Sequence, residues 1–412
     1  MNLFGGVISI SGITFLMFTV FIIAAVGYAL GRITIKGVCL GTAGVFIVAL
    51  LFGALFSDTI SGTVVQKLAD GTAVDISSNA LKIVENLGLI LFVTAVGFIA
   101  GPNFFKNLKK NFKSYILLGL VIIIVGGLSC AACFYIGRGS EADSKEFVAM
   151  LVGILSGSLT STPAFSAAKA TVAEQYESAV TVGHGIAYLF GVIGVVLFVQ
   201  LIPKLMKANM DEERAKIAIV DTGSRKDVKG KLIDMDPQGF MAFAAAALIG
   251  IVIGAVKIPM GSASFSLTTT GGTLLTALVL GHFGHIGPVN FTLSKKTLEV
   301  FREFGLMLFL IGAGVAGGAK FVEYFKPVYF IYGIVMTILP MIVGFLFAKY
   351  VLKLSLLNNL GSITGGMTST PALGTLINVA GTDDVASAYA ATYPIALIAV
   401  VLVSQGLCIF LG

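Results

Sequence analysis

One eight-residue motif occurs twice in this chain, at corresponding places in its two halves. The first copy is Gly-Ser-Leu-Thr-Ser-Thr-Pro-Ala at residues 157–164, and the second is Gly-Gly-Met-Thr-Ser-Thr-Pro-Ala at residues 365–372. Both copies lie in apolar sequence. A proline that follows three hydroxyl residues cannot continue an ordinary helix, because its ring lacks an N–H and clashes with the preceding turn. Each copy therefore predicts a helix break at membrane depth.

Such breaks are restricted to special surroundings. An unpaired backbone group in hydrocarbon costs several kcal/mol, so a break persists only where protein or a water-filled cavity encloses it. Two breaks at matching positions of two halves are typical of the binding site of a transporter. The alternative is that these small hydroxyl residues simply let membrane helices pack closely.

Composition defines the class of protein. Of 412 residues, 57% are hydrophobic and 12% are charged, and the mean hydropathy is +0.98. Soluble proteins carry about 25% charged residues, so the chain is predicted to be an all-α polytopic membrane protein. The formal charge of +6 comes from basic residues in short loops between apolar spans, so we predict no nucleic-acid partner. No basic residue precedes Arg32, which predicts that the first apolar run is a retained span rather than a signal peptide.

Neither cofactor nor enzyme chemistry is indicated. The pair Cys130 and Cys133 forms a C-x-x-C without nearby histidine, and Cys39 and Cys408 also lie in apolar stretches, so we predict packing roles and no metal site. The motifs H-E-x-x-H and G-x-S-x-G are absent, and the acidic pair Asp383-Asp384 has no second cluster to hold magnesium with it. We therefore expect no enzyme and no cofactor.

The order of the apolar segments indicates a tandem duplication. Matching glycines include Gly27 with Gly250 and Gly88 with Gly305, and each half offers six apolar segments. These lie at about 13–31, 38–56, 83–101, 114–136, 147–168 and 179–203, and at about 239–256, 268–286, 298–318, 328–350, 356–376 and 385–411. The predicted units are a first transmembrane repeat at 1–203, a cytoplasmic linker at 204–237 and a second repeat at 238–412.

Charge distribution predicts the topology. If each motif-bearing segment is a re-entrant hairpin, each half crosses the membrane five times, and most of the 27 lysines and arginines fall in cytoplasmic loops. An odd number of crossings makes the two repeats inverted relative to each other, so their hairpin tips would meet from opposite faces. Both termini are then on the outer side of the membrane.

The tips are predicted to bind a small carboxylate. Each proline suits the first turn of a new half-helix, with Thr162 or Thr370 placed to cap it, and the positive end of that half-helix favours an anion. Neighbouring hydroxyls can donate hydrogen bonds to the carboxylate. The predicted substrate-binding residues are Ser158, Thr160, Ser161, Thr162, Pro163, Thr368, Ser369, Thr370, Pro371, Lys169 and Tyr393.

Four ionisable residues within the apolar segments have two interpretations each. Lys169 is either a counter-ion for a second carboxylate of the substrate or a side chain that snorkels to the interface. Glu85 and Glu303 begin equivalent spans and either cap them at the interface or carry a coupling proton. His184 is either a packing residue or a proton carrier.

These residues resemble a known family. The paired G-x-x-T-x-T-P-A motifs, the Gly-Leu-x-Leu-Phe runs that begin at Gly88 and Gly305, and Tyr393-Pro394 are similar to the aspartate:alanine exchanger family of bacterial secondary transporters. The resemblance implies two copies of one membrane domain, exchange of amino acids or dicarboxylates, and a dimer that works by an elevator-like movement. Many members carry regulatory domains of the potassium-transporter type between the halves, whereas this chain has a 34-residue linker there and is a short form. A second departure is that Tyr188-Leu189 stands opposite Tyr393-Pro394, so a helix break there is expected only in the second half.

We therefore expect an antiporter of a small carboxylate, such as an acidic amino acid or a dicarboxylate, with alternating access around the hairpin tips. The expected partners are that substrate, the lipid bilayer and a second copy of the chain. A channel for an anion or small solute is the alternative, because broken helices also line channel filters.

Overall fold

The structure is a computed structural model that describes residues 2–3, 8–35, 38–39, 41–67, 73–110, 112–217, 232–234, 236–260, 263–382 and 384–412. Within these ranges, only the backbone is described at some positions, among them 103–110, 370, 371 and 374. Helices dominate throughout.

The described helices follow the same order in the two halves. The first half contains α1 (Gly12–Gly31), α2 (Ala43–Ile60), α3 (Ser77–Lys110), α4 (Leu117–Gly137), α5 (Ser144–Ser158), α6 (Thr162–Thr171) and α7 (Glu177–Leu205). A short α8 (Met210–Ala215) lies in the linker. The second half contains α9 (Phe240–Gly254), α10 (Thr268–Phe283), α11 (Lys295–Gly318), the short α12 (Phe321–Tyr324), α13 (Val328–Leu346), α14 (Leu356–Gly366), α15 (Thr370–Ala380) and α16 (Val385–Leu411).

Extended structure is confined to short connections in the described residues. Most strands pair as two-stranded antiparallel ladders: β1 (Asn2–Leu3) with β2 (Ile8–Ser9), β3 (Thr34–Ile35) with β4 (Val38–Cys39), β5 (Val65–Lys67) with β6 (Ala73–Asp75), and β8 (Lys257–Met260) with β9 (Ala263–Ser266). In addition, β10 (His285–Ile286) pairs with β11 (Val289–Asn290), which pairs in parallel with β7 (Ile233–Asp234). Single π-helical turns occur at Phe112–Ile116 and Phe347–Val351, and 3₁₀ turns occur at Arg138–Ser140 and Glu174–Tyr176.

The helices are those of a multi-pass membrane protein, which confirms the predicted all-α class. Seven of the described helices are long and apolar enough to cross a bilayer, namely Gly12–Gly31, Ser77–Pro102, Ser114–Gly137, Glu174–Leu205, Lys295–Gly318, Val328–Val351 and Val385–Leu411. Shorter apolar helices lie at Gly44–Ile60 and Phe240–Gly254, and α10 is 16 residues long. Together these are the ten helices that the sequence assigns to crossings.

Both motif-bearing segments are broken helices, as predicted. The chain leaves α5 at Ser158 and re-enters a helix at Thr162, and it leaves α14 at Gly366 and re-enters at Thr370. Each proline occupies the second position of the new helix, where its missing N–H removes no intrahelical hydrogen bond. The expected break at Pro394 is wrong, because α16 runs through that proline as one helix from Val385 to Leu411.

The helices form two groups that pack mainly within themselves. The framework consists of α1, α2, α3, α9, α10 and α11, and the hairpin bundle consists of α4, α5, α6, α7, α13, α14, α15 and α16. Two smaller cores lie within the framework, whereas the largest core, which includes Phe165 and Phe309, spans the junction between the groups.

Glycines permit close crossings in the framework. A Cβ on Gly88 of α3 would lie 2.6 Å from the carbonyl oxygen of Gly305 on α11, and a Cβ on Gly305 would lie 2.7 Å from that of Gly88. These reciprocal contacts involve the glycines that the sequence matches between the halves. The two helices therefore cross backbone against backbone, which small residues allow in membrane proteins.

Candidate functional site

The two hairpin turns share one backbone geometry. In the first, Thr160 adopts the left-handed conformation (φ 51°), its N–H donates to Gly157 O at 2.9 Å, and the N–H of Ser161 donates to Ser156 O at 2.8 Å. This is the Schellman arrangement, in which the residue after the helix is usually glycine. A β-branched residue there carries about 1–2 kcal/mol of strain, so a threonine points to a requirement for its hydroxyl.

The second turn repeats this pattern at Thr368 (φ 50°). The N–H of Thr368 donates to Gly365 O at 3.1 Å, and the N–H of Ser369 donates to Thr364 O at 3.0 Å. A threonine in the left-handed conformation therefore follows the first helix of each hairpin, α5 in one and α14 in the other.

The two tips contact each other through reciprocal hydrogen bonds. The Thr160 hydroxyl donates to the carbonyl oxygen of Met367 at 2.9 Å, and the Thr368 hydroxyl donates to the carbonyl oxygen of Leu159 at 2.9 Å. All four residues are buried, and about 200 residues separate the partners in sequence. The prediction that the two breaks meet is confirmed by these contacts.

These bonds correct the expected roles of two hydroxyls. A threonine hydroxyl has one proton to donate, and in this conformation Thr160 and Thr368 donate theirs to the opposite tip. They therefore do not act as donors to a carboxylate in this conformation, although both residues line the cavity described below. Instead, the Thr368 hydroxyl satisfies the carbonyl of Leu159 at the end of α5, and the Thr160 hydroxyl satisfies that of Met367 at the end of α14.

The cap residue also differs from the prediction. Ser161 is the N-cap of α6, and its hydroxyl accepts from the N–H of Ala164 at 3.3 Å, whereas Thr162 is the first helical residue. Ser369 is the corresponding N-cap of α15, but its hydroxyl makes no capping bond. The prediction that Thr162 and Thr370 are the N-caps is therefore wrong by one residue: the N-caps are Ser161 and Ser369, because each proline occupies the second helical position rather than the first. The side chains of Thr370 and Pro371 lie outside the described residues.

A cavity of about 630 Å³ opens beside the tips, and we call it the tip cavity. Thr160, Thr162, Pro163 and Thr368 contribute to its wall from the hairpins. The remaining lining residues are Tyr28, Gly31, Arg32, Gly41, Thr42, Phe92, Val96, Tyr188, Arg302, Glu303, Leu306, Tyr393 and Leu397. The cavity is therefore bounded by both hairpins and by framework helices.

The charges in the tip cavity are predominantly positive. Among the described lining residues, Arg32 and Arg302 are basic and Glu303 is the one acid; its Oε1 accepts from Arg302 at 2.8 Å. The N-terminus of α6 adds the positive end of a helix dipole, which favours an anion, even though Pro163 has no N–H and the N–H of Ala164 donates to Ser161. Sequence reasoning did not place Arg32 or Arg302 in the site, since each merely ends or begins an apolar span.

Several predicted residues do not line this cavity. Ser158 donates to Gly333 O on α13 at 3.1 Å, and Ser161 caps α6. Ser369 is fully buried, and its hydroxyl has no hydrogen-bond partner among the described residues. Tyr393 does line the cavity, as does its counterpart Tyr188.

Lys169 and Glu85 line a second cavity of about 360 Å³, which we call the ion-pair cavity. The ammonium of Lys169 lies 2.5 Å from Oε1 of Glu85 and 3.8 Å from Oε2 of Glu177. Both members of the closer pair are buried, so in this conformation the Lys169 side chain ends in an ion pair within the protein. Glu85 lies inside α3, which begins at Ser77, and it is not among the residues that line the tip cavity.

The two cavities lie towards opposite ends of the membrane helices. On α11, Arg302 and Glu303 line the tip cavity, whereas Val315 and Ala316 line the ion-pair cavity, about 20 Å further along the helix at 1.5 Å per residue. Half-helix α6 separates the cavities: its first residues border one, Lys169 borders the other, and Thr162 to Lys169 are all buried.

A hydrogen-bonded loop forms the rim of the ion-pair cavity. The carboxylate of Asp75 accepts from the hydroxyl of Ser77 at 2.6 Å and its N–H at 2.9 Å, from the N–H of Gly62 at 2.8 Å and from the hydroxyl of Ser61 at 3.1 Å. These bonds, with that of the Ser77 hydroxyl the strongest, lower the pKa of Asp75 to about 2. Asp75 therefore remains ionised near neutral pH.

His184 is enclosed by aromatic rings. The Ser156 hydroxyl donates its proton to Gly153 O at 2.7 Å, so the 2.8 Å contact with His184 requires Nδ1–H to donate to Ser156. Nε2 is buried and has no partner among the described residues, and the ring stacks on Phe165 at 4.3 Å. An imidazolium would leave a buried N–H unpaired, which favours a neutral packing role here.

Comparison with known proteins identifies the family. The aspartate:alanine exchanger family, described as the predicted permease membrane region, matches residues 19–204 and 242–409. This chain belongs to the aspartate:alanine exchanger family. The matched regions contain both hairpins and leave out most of the linker.

Relatives of this exchanger-family chain are named transporters. An uncharacterized transporter of Bacteroides thetaiotaomicron is 25% identical, over 94% of this chain and 97% of that protein. One from Rhodopirellula baltica is 23% identical, over 95% of this chain and 98% of that protein. The first alignment spans 546 positions against the 412 residues here, so that relative contains segments that this chain lacks. This agrees with a short form of the family.

Proposed function

We propose that this protein is a secondary active antiporter of a small carboxylate, such as an acidic amino acid or a dicarboxylate, which it moves by elevator-like alternating access. The observation that carries the proposal is the meeting of two half-helix openings beside a cavity that α6 separates from a second cavity. A carrier needs such a site, reached from one side at a time.

The chemistry of the tip cavity supports an anionic substrate. Two arginines and one glutamate leave an excess of positive charge in its wall, and the N-terminus of α6 adds to it. The negative ends of α5 and α14 contribute less, because the hydroxyls of Thr368 and Thr160 occupy the carbonyls there. A small carboxylate fits the resulting field, and Tyr188 and Tyr393 offer further hydroxyls.

The packing of the helices supports an elevator-like movement. The reciprocal bonds between the tips tie the two hairpins together, so the hairpin bundle would move as one body against the framework. Matched helix order and reciprocal glycine contacts support inverted repeats, which give the two end states similar energies.

The remaining features of the proposal follow from the sequence and the family resemblance. We place the protein in the bacterial cytoplasmic membrane as a homodimer, with both termini outside and the linker inside. A reporter that is active on only one side of the membrane would be fused to each terminus and to the linker in turn. Its activity at each of these places would test the orientation. Activity at the linker and at a terminus on the same side would contradict it.

Transport is tested with purified protein in proteoliposomes. Labelled aspartate, alanine, glutamate and succinate are offered outside vesicles that contain either the same unlabelled compound or buffer. Uptake that requires internal substrate is the expected result. Uptake of equal rate into empty vesicles that does not saturate would indicate a channel, and uptake driven by a proton gradient alone would indicate symport.

A further inference from the structure

We infer that the buried ion pair between Lys169 and Glu85 locks the protein in the conformation with the tip cavity open, and that the opposite conformation has no equivalent lock. The inference rests on the proposed alternating-access function. It assigns to these two residues control of the conformational equilibrium.

The pair joins the two helix groups. Lys169 lies near the end of α6 in the hairpin bundle, and Glu85 lies on α3 in the framework. The side chains are only 7% and 10% exposed, and their charged atoms are 2.5 Å apart. Sliding of α6 past α3 separates this pair. Glu177 at the start of α7 lies 3.8 Å from Lys169 and stays with the bundle, so the charge that loses its buried partner is chiefly that of Glu85, and such a charge is costly at membrane depth.

Glu85 is held firmly on the framework side. A Cβ added to Gly312 of α11 would lie 2.6 Å from the Cβ of Glu85, so α11 packs directly against the backbone of α3 at this point. Lys169 is held equally firmly, because α6 is buried along its length up to that residue. When α6 moves relative to α3, a small local shift of either backbone therefore cannot keep Lys169 and Glu85 in contact.

The lock exists on one face only. In the tandem alignment Glu85 corresponds to Arg302 and Lys169 to Ile377, and an arginine and an isoleucine cannot form an ion pair. If the bundle moves to the opposite conformation, the symmetry-related positions therefore provide no compensating bond. The ion pair stabilises one end state and has no counterpart in the other.

A neighbouring ion pair provides a matched control. Lys82 of α3 lies 2.7 Å from Glu174 and 3.3 Å from Glu177, so it links the same two regions. Its side chain is 39% exposed and that of Glu174 is 82% exposed. Lys82 also contacts Glu177, which lies 3.8 Å from Lys169, so the control variant is Glu174→Gln, which removes only the exposed pair. Exposed pairs of this kind contribute little, so Glu174→Gln should leave the equilibrium unchanged.

The test uses two reporter cysteines on one helix, in a background whose four native cysteines are replaced by alanine. Leu306→Cys reports access to the tip cavity, and Ala316→Cys, which is already exposed in this conformation, provides the reference labelling rate of an exposed site on the same helix. Labelling rates with a water-soluble maleimide are measured in membranes permeable to the reagent. The double variant Lys169→Met/Glu85→Leu removes both charges together, so no buried charge is left unpaired.

We expect the double variant to lower labelling at residue 306 relative to residue 316 by about tenfold, and the charge-swapped variant Lys169→Glu/Glu85→Lys to restore the ratio in part. An unchanged ratio in a folded, monodisperse double variant would overturn the lock, as would an equal change in Glu174→Gln. A changed ratio in a protein that transports none of the four carboxylates would leave the lock standing and refute the proposed substrate class.

Discussion

Removal of the hydroxyls that join the two hairpin tips should weaken the protein measurably. Thr160→Val and Thr368→Val keep side-chain shape but each deletes one 2.9 Å hydrogen bond and leaves a buried carbonyl, of Met367 or Leu159, without its donor. Such an unsatisfied group costs about 1–3 kcal/mol. Because the threonines are 7% and 6% exposed at the cavity wall, water can partly replace the donor, and we expect about 1–2 kcal/mol for each variant.

The double variant should lose less than the sum of the two single losses. Both bonds close the same contact, so once one is absent the tips separate more readily and the second contributes less. The measurement is the free energy of unfolding in mixed detergent micelles, together with the apparent affinity for the transported carboxylate. Additive losses would indicate that the two bonds act independently.

Two controls distinguish the hydrogen bonds from the general effect of a threonine-to-valine change. Thr160→Ser retains the hydroxyl and should restore most of the stability. Thr276→Val changes a buried threonine of α10 whose hydroxyl has no partner among the described residues, and it should be neutral or stabilising. If Thr160→Val were no more destabilising than Thr276→Val, the reasoning about the tips would be refuted.

Three further predictions follow from the site. Ser161→Ala should lower the free energy of unfolding by about 1 kcal/mol, because it removes the side-chain cap of α6, whereas Ser369→Ala should lower it less, because Ser369 makes no capping bond. Equal losses in an unfolding titration would contradict this. Arg302→Gln should raise the KM for a carboxylate by about tenfold with a smaller change in kcat, measured by initial uptake rates, and an unchanged KM would remove Arg302 from the site. The lowered pKa of Asp75 stabilises its loop above about pH 4, and this contribution should be lost as the pH falls towards about 2. The protection factors of the loop amides, that is, their exchange rates corrected for the intrinsic pH dependence of exchange, should therefore fall over that range, but not in Asp75→Asn, which cannot titrate.

The broken helices could be predicted because their cause is local. A proline after three hydroxyl residues interrupts a helix wherever it stands, and an interruption in apolar sequence requires protein or water around it. The occurrence of two copies at matching positions predicted that the breaks meet, and the bonds from Thr160 and Thr368 confirm it. The cap was misplaced by one residue because sequence alone does not show which helical position a proline occupies.

The composition of the site was less accessible to sequence reasoning. Arg32 and Arg302 lie at the ends of spans, where basic residues ordinarily face water, and only the closeness of α1 and α11 to the tips brings them to one cavity. The role of Ser158 was mispredicted for a related reason, since the direction of its hydroxyl towards Gly333 depends on how α13 packs against α5.

Apolar spans, their matched order in two halves and the two interruptions are determined by the sequence alone, because hydropathy and proline act over a few residues. The tertiary structure decided which polar groups meet. Lys169 and Glu85 are 84 residues apart and the tip partners about 200 apart, so their pairing depends on the packing of whole helices. The cost of a buried, unpaired polar group then explains why these particular groups lie together.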